Sequence, residues 1–250
     1  MLLEYDIVRF IIIIMKKVTI LLLLVATCMA FSVYKKYMVE DPDALCLDGT
    51  VPAYYIKQGD PTKWIINFEG GGWCGSAVGL QQTLESCYQR SKTDLGSSSK
   101  YPDSFNYWDG MIGDNADNYF KDWTLVFIKY CTGTGHQGYR KEPIQYKDTS
   151  LFFRGHNVTL GVLNNLVQKH NFKNAEKLVI SGQSAGGLAA FTWSEYITAF
   201  AQKLNVKDIW TIPDSGIFLD EVNQRTKKHD YKEIFLNFMQ LSNEGIEPPN

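Results

Sequence analysis

The sequence predicts an α/β fold in which a mainly parallel sheet carries helices on both faces. Three observations lead there: apolar runs of strand length, longer stretches with helical spacing between them, and glycine-rich turns where the strands end. KWIINF (63–68) is a short apolar run that passes directly into glycines, as a buried strand ending in a loop does. TLVFIKY (124–130) is the second such run. NVTLGVLNNLVQKH (157–170) follows, with Val158, Val162, Leu163, Leu166 and Val167 on one helical face. KLVIS (177–181) is the third strand. Residues 185–204 repeat the helical spacing through Leu188, Ala189, Tyr196, Ile197, Phe200 and Leu204, and DIWTI (208–212) is the fourth strand. A sheet of this kind keeps its functional groups in loops beyond the carboxyl ends of its strands. Both glycine-rich motifs of the chain fall there.

The 250 residues are 45% hydrophobic, 21% charged and 14% aromatic, enough for one domain with a sizeable core. A net charge of −2 leaves no basic footprint for nucleic acid or an anionic membrane. Residues 1–30 read as a secretory signal peptide: Lys16 and Lys17, then the apolar run Val18 to Ala26, then small residues ending at Ala30. Met15 makes the more conventional start. The two lysines interrupt the apolar run, so a cleaved signal is favoured over a membrane anchor, leaving residues 31–250 as one secreted domain with no membrane association. Cleavage removes Cys28 and leaves Cys46, Cys74, Cys87 and Cys131, which fit two disulfides in any of three connectivities. Asn157-Val158-Thr159 is an N-glycosylation sequon. No C-x-x-C pair or His–Cys grouping has zinc spacing, so neither a metal nor a cofactor is expected.

The decisive motif is GQSAG (182–186), a G-x-S-x-G with a strand before it and a helix after it. In that setting the turn holds its serine in a strained conformation with the hydroxyl exposed, which makes Ser184 a candidate nucleophile rather than a simple turn residue. Hydrolysis through a serine also needs donors aimed at the tetrahedral oxyanion. The backbone N–H of Ala185, after the nucleophile, is one candidate. FEGGGWC (68–74) follows the first strand, so Gly71, Gly72 and Trp73 can turn further amides toward the site. No G-K-[ST] follows these glycines, which argues against a nucleotide loop.

ALCLDGTVPAYY (44–55), WIINFEGGGWC (64–74), the YC at 130–131, LFFRG (151–155), SGQSAGGLAA (181–190) and PDSGIFLD (213–220) occur in this order. Across roughly residues 44–220 the chain thereby resembles the pectin acetylesterase/Notum family of secreted carboxylesterases. The resemblance implies an α/β-hydrolase-like fold and ester hydrolysis through Ser, Asp and His. Ser184 would be the nucleophile, with Gly71, Gly72, Trp73 and Ala185 lining the oxyanion hole. Gln183 departs from the smaller residue or cysteine usual in relatives. The resemblance also places the family's catalytic Asp and His well beyond the DSG motif, so 31–250 is expected to be the N-terminal portion of a longer domain. Asp214 is then a pocket residue, with catalytic acid as the alternative. His229 and Asp230 lie in QRTKKHDYKE, which reads as a solvated charged segment.

The expected disulfides are Cys74–Cys87, close in sequence beyond the oxyanion strand, and Cys46–Cys131, tying the N-terminal segment to the end of the second strand. The aromatics from Tyr101 to Trp123 are expected to pack as a loop, with sugar stacking as the alternative, and His136 and His156 to be structural. The leading function is a secreted serine carboxylesterase acting on acyl groups, acetyl first, of an acylated polysaccharide. A Notum-like deacylase of an acylated protein is the second reading. A non-catalytic glycan-binding member, favoured by the missing Asp and His, is the third. The chain as given is expected to be nearly inactive and to expose an apolar sheet edge.

Overall fold

The computed structural model describes residue 15, residues 33–107 and residues 110–243. The architecture belongs to a unit beginning at Tyr34. The signal-peptide expectation therefore lies, Met15 apart, outside the described residues, as do Cys28 and Trp108. No described helix is long and apolar enough to cross a membrane.

All four strands read from the sequence are present: β3 (Asp60–Phe68), β5 (Trp123–Ile128), β8 (Lys177–Gln183) and β9 (Asp208–Asp214). They lie side by side in the order β5-β3-β8-β9, all parallel. Phe68 pairs with Ile128 on one side and Gly182 on the other, and Gln183 pairs with Asp214. The carboxyl ends of the four strands thus finish at one level. From β3 the chain moves to the β5 side, and from β8 it moves to the β9 side. The crevice between β3 and β8 is the topological switch point where sheets of this class place their ligands.

The α/β-hydrolase-like architecture holds, with two differences from expectation. First, the sheet is mixed: β1 (Tyr34–Met38), β2 (Ala53–Lys57) and the two-residue β4 (Ser104–Phe105) extend it antiparallel beyond β5. AYYIK and YKKYM escape a hydropathy reading because they carry lysines. Yet β2 is buried along its whole length, its Lys57 paired with Asp114 and donating to the Lys121 carbonyl at 2.9 Å. Such a lysine is tolerable only because its charge and protons are met.

Second, among the described residues the two long helices share one face. On α2 (Gly155–Lys169), Val158, Val162, Leu163 and Leu166 pack with Ala189, Ala190, Trp193, Ile197 and Ala201 of α3 (Ala185–Lys203). Both sets lie over Trp64, Ile66, Phe68, Val126, Ile128, Leu178 and Ile180. The alternate residues Tyr55, Ile65, Leu125, Phe127 and Val179 face the other way and are covered by the 101–123 segment through Phe105, Ile112, Phe120 and Trp123. That segment packs as expected: the Phe105 ring lies 4.7 Å from Tyr55 and 4.9 Å from Tyr34. The cover stops short of β9, where Trp210 is 48% and Ile212 38% exposed.

The remaining elements, α1 (Leu80–Ser91), the β6–β7 hairpin (Ile144–Tyr146, Thr149–Leu151) and α4 (Asp230–Ser242), build a smaller core of Leu47, Tyr88, Leu151, Phe153 and Leu241. Residues 224–233 face solvent, as the charged-segment reading expected, with only Asp230 half-buried. Residues 223–229 are exposed turns, but Asp230 and Glu233 form the acidic first turn of α4, a favourable place for carboxylates.

The disulfides join Cys46 to Cys131 and Cys74 to Cys87, as expected. Their sequence separations are 85 and 13 residues. Chain-entropy arguments put the longer closure at about 4.6 kcal/mol and the shorter at about 3. Replacing both Cys46 and Cys131 by alanine is therefore expected to lower the denaturation midpoint more than replacing Cys74 and Cys87. Urea melts of the two double variants check this, and an equal or reversed order would contradict it.

Candidate active site

β8 ends at Gln183, and the next residue turns sharply into α3. Ser184 sits at φ 55°, ψ −119°, a conformation that costs a non-glycine residue about 1–3 kcal/mol. Its N–H donates to the Asp214 carbonyl at 2.9 Å, and its carbonyl accepts from Leu188 N–H at 2.9 Å, which locks the turn. The turn presses against its neighbours. A Cβ on Gly186 would lie 2.0 Å from the Phe68 carbonyl oxygen, and one on Gly182 would lie 2.2 Å from the Gly186 oxygen. The two motif glycines are thus required by close backbone approach. Ala185 opens α3, where the first N–H groups have no partner within the helix.

The loop after β3 comes to the same place. A Cβ on Gly70 would lie 2.3 Å from the Gln183 oxygen and 3.4 Å from Ser184 Cβ, so the glycine loop touches the turn. Gly71 and Gly72 have φ of 138° and 64°. Gly71 lines a cavity of about 600 Å3 together with Ser184, Gln183 and Asp214. Trp73 points elsewhere, its ring 4.8 Å from both Phe218 and Phe235. Beside these rings a second hollow of about 590 Å3 is lined by Ile217, Phe218, Leu219, Val222, Tyr231 and Ile234 together with the polar Glu221, Asn223 and Asp230.

The rest of the cavity combines aromatic and polar groups: Tyr55, Phe105, Tyr107 and Phe127 with Asn67, Glu69, Lys129 and Ser181. Burial pushes the Tyr55 phenol up to about 12, so it stays protonated and donates to the Pro102 carbonyl at 2.6 Å. Glu69 is paired with Lys129, while burial holds its carboxyl above the usual range. The sequence reading passed over Glu69 and Lys129. One stood inside the EGGGWC motif and the other at the end of a strand run, but no pattern links residues 60 apart.

Asp214 lines the cavity, with its carboxylate accepting from the Ser215 hydroxyl at 2.9 Å. None of the four histidines lines it. His229 Nδ1 lies 3.1 Å from Asp220 Oδ1 on the exposed turn before α4. His156 lies over Trp193 and His170 meets the Tyr54 hydroxyl at 2.9 Å. His136 is buried, stacked on Tyr130, and reaches the Glu69 carbonyl through Nε2 at 2.9 Å. Asn157 is in the first turn of α2, half-buried with its side-chain oxygen enclosed, and Thr159 of the same sequon is fully buried. Among the described residues no group of His, Cys, Asp and Glu is arranged to hold a metal ion.

Burial lowers the His136 imidazole from 6.5 to about 4. The fold therefore favours the neutral ring, a contribution present above 6.5 that is lost as pH falls toward 4, worth roughly 3 kcal/mol. Glu69 acts in the opposite sense, its raised value favouring the fold at low pH. His136→Gln is expected to flatten the acid-side loss of stability relative to the parent. Melting temperatures between pH 7 and pH 4.5 check this, and parallel curves for the two proteins would refute it.

The pectinacetylesterase family model matches residues 28–250. Pectin acetylesterase 5 of Arabidopsis thaliana is 29% identical over 204 residues, 79% of this chain and 45% of the relative. Pectin acetylesterase 11 of the same plant is 32% identical over 183 residues, 70% of this chain and 43% of the relative. The palmitoleoyl-protein carboxylesterase notum1a of Danio rerio is 29% identical over 196 residues, 76% and 37% of the two chains. In three dimensions the Wnt deacylase Notum from Drosophila matches 75% of this chain and 54% of its own with a TM-score of 0.65, at 24% identity, a likeness of fold. The chain spans less than half the length of the curated relatives it matches. With the family model covering nearly the whole described fold, the chain belongs to the pectinacetylesterase family.

Proposed function

We propose that this chain carries the nucleophile and oxyanion hole of a serine carboxylesterase that removes acyl groups, acetyl first, from a polysaccharide. The observation that carries this reading is the strained Ser184 at the β3–β8 switch point, in contact with a glycine loop and opening into a cavity. Ser184 Oγ attacks the ester carbonyl, and the N–H groups of Ala185 and the Gly71–Trp73 loop stabilise the oxyanion. The alcohol leaves, and water releases the acid from the acyl-serine. Asp214 acts as a wall residue. The base that takes the Ser184 proton comes from outside the cavity's described lining, which holds no histidine.

Mixed aromatic and polar walls suit a sugar ring with a small acyl group, and the Arabidopsis relatives named as pectin acetylesterases point the same way. A second reading, removal of a long acyl chain from a protein, is favoured by the Notum relatives and by the hollow beside Phe218, whose wall is apolar except for Glu221, Asn223 and Asp230. Two disulfides support passage through an oxidising compartment, and with it secretion.

The test offers residues 31–250 and the full-length protein an acetylated pectin and a palmitoleoylated peptide. Acetate release by the full-length protein, with little from residues 31–250 alone, is the expected result. Release of palmitoleate alone would favour the second reading, and binding of pectin without any turnover would leave a glycan-binding protein.

A further inference from the structure

Glu69 occupies the junction between β3 and the glycine loop, and each of its polar groups is committed to one neighbouring segment. Its N–H donates to the Ile128 carbonyl at 3.1 Å, prolonging the β3–β5 ladder by one step. Its carbonyl accepts from His136 Nε2 at 2.9 Å. One carboxylate oxygen accepts the Tyr130 N–H at 2.7 Å, and the other is held by the Lys129 ammonium. The partners are themselves fixed. The Tyr130 and His136 rings stack at 4.6 Å, Gly135 N–H donates to the Tyr130 hydroxyl at 2.6 Å, and the Arg90 guanidinium covers Tyr130 at 4.7 Å. On its opposite side Glu69 is wedged against the turn, since a Cβ on Gly186 would meet its carbonyl carbon at 2.9 Å.

Resting on the esterase reading of Ser184, we propose that Glu69, through Lys129 and Tyr130, is a positioning residue that sets the Gly70–Gly72 loop against Ser184. The argument is one of leverage. Gly70 and Gly71 are packed, against the Gln183 carbonyl and against Leu95 and Tyr130, but Gly72 has little of its own to hold it: a Cβ there would meet nothing within 4 Å. The conformation of Gly72 must be imposed from the rest of the loop, and Glu69 fixes that loop both at its start and through Tyr130, on which Gly71 packs. A carboxylate shared between a backbone N–H and an ammonium is a strong, directional anchor in a largely desolvated place. A glutamine retains an acceptor for Tyr130 but loses the charge that holds Lys129. An alanine loses both. Donors that drift by an ångström no longer meet the oxyanion, which costs about 100-fold in rate without changing how the substrate is first bound.

The test measures kcat and KM on p-nitrophenyl acetate for the full-length protein and for its Glu69→Ala, Glu69→Gln, Lys129→Met and Ser184→Ala variants. Glu69→Ala should lose about 100-fold in kcat with KM within about twofold, and Glu69→Gln should recover part of that loss. Lys129→Met should resemble Glu69→Gln. If Glu69→Ala fails to fold, the kcat-against-KM split in Glu69→Gln and Lys129→Met decides. Parental kcat in the folded Glu69 and Lys129 variants, with Ser184→Ala inactive, would overturn the positioning role and leave the esterase reading standing. Parental turnover by Ser184→Ala, or none by the parent, would remove the esterase reading and this role with it.

Discussion

Ser184→Ala is expected to abolish ester turnover in the full-length protein while leaving its melting temperature close to the parent's. Loss of the nucleophile in a serine hydrolase removes about 10⁶ in kcat, and only binding and the oxyanion hole act on what remains. The stability expectation follows from position. Ser184 is half-buried in the lining of the cavity, and its hydroxyl makes no capping hydrogen bond to the helix it precedes, so no core contact is lost. Alanine also keeps the strained φ of 55°. Ser184→Gly separates the two effects: it should be equally inactive yet more stable by about 1 kcal/mol, because glycine relieves the strain. Turnover assays with thermal melts check both variants. Equal activity of Ser184→Ala and the parent would exclude this serine from the chemistry, and a Ser184→Gly variant melting below Ser184→Ala would contradict the strain argument.

The second large effect is expected at Gly186. A methyl there must displace the Phe68 carbonyl, since its Cβ would lie 2.0 Å from that oxygen. The carbonyl belongs to the end of β3, between β5 and β8, so it cannot move without breaking the sheet at the switch point. Overpacking of this kind costs about 3 kcal/mol or more. Gly186→Ala should therefore lower both the melting temperature and the yield of folded protein, and lose turnover in whatever folds. Gly72→Ala is the informative comparison. Its Cβ meets nothing within 4 Å, so only its φ of 64° is penalised, at about 1–2 kcal/mol. Similar melting losses for the two variants would mean that the turn and β3 are less tightly apposed than their backbone atoms indicate.

The strands and helices legible in the sequence were those whose apolar pattern is local and unbroken. WIINF, TLVFI and KLVIS are buried on both faces, so they read as continuous apolar runs. β1 and β2 were not legible because their lysines are satisfied by residues far along the chain, Lys57 by Asp114 and Lys36 by Asp103. IFLNFMQL did carry an apolar pattern, but the charged stretch before it masked the start of α4. Helix α1 packs a short, polar-rich face, with Thr83 and Ser91 among its buried residues, and gives little signal.

The same division runs through the site. G-x-S-x-G after a strand, the glycine loop after another strand and the cysteine spacing are properties of neighbours in the chain, and they sufficed to nominate Ser184, the 71–73 loop and two disulfides. What surrounds Ser184 was decided only by folding. The pairing of Glu69 with Lys129, the turning of Trp73 toward Phe218 and Phe235, and the burial of His136 beneath the loop all join residues 60 or more positions apart. Local backbone conformation is set by near neighbours and can be read from a motif. Charge pairing and ring packing depend on which distant segments the sheet order brings to one edge, and that order is a property of the whole chain.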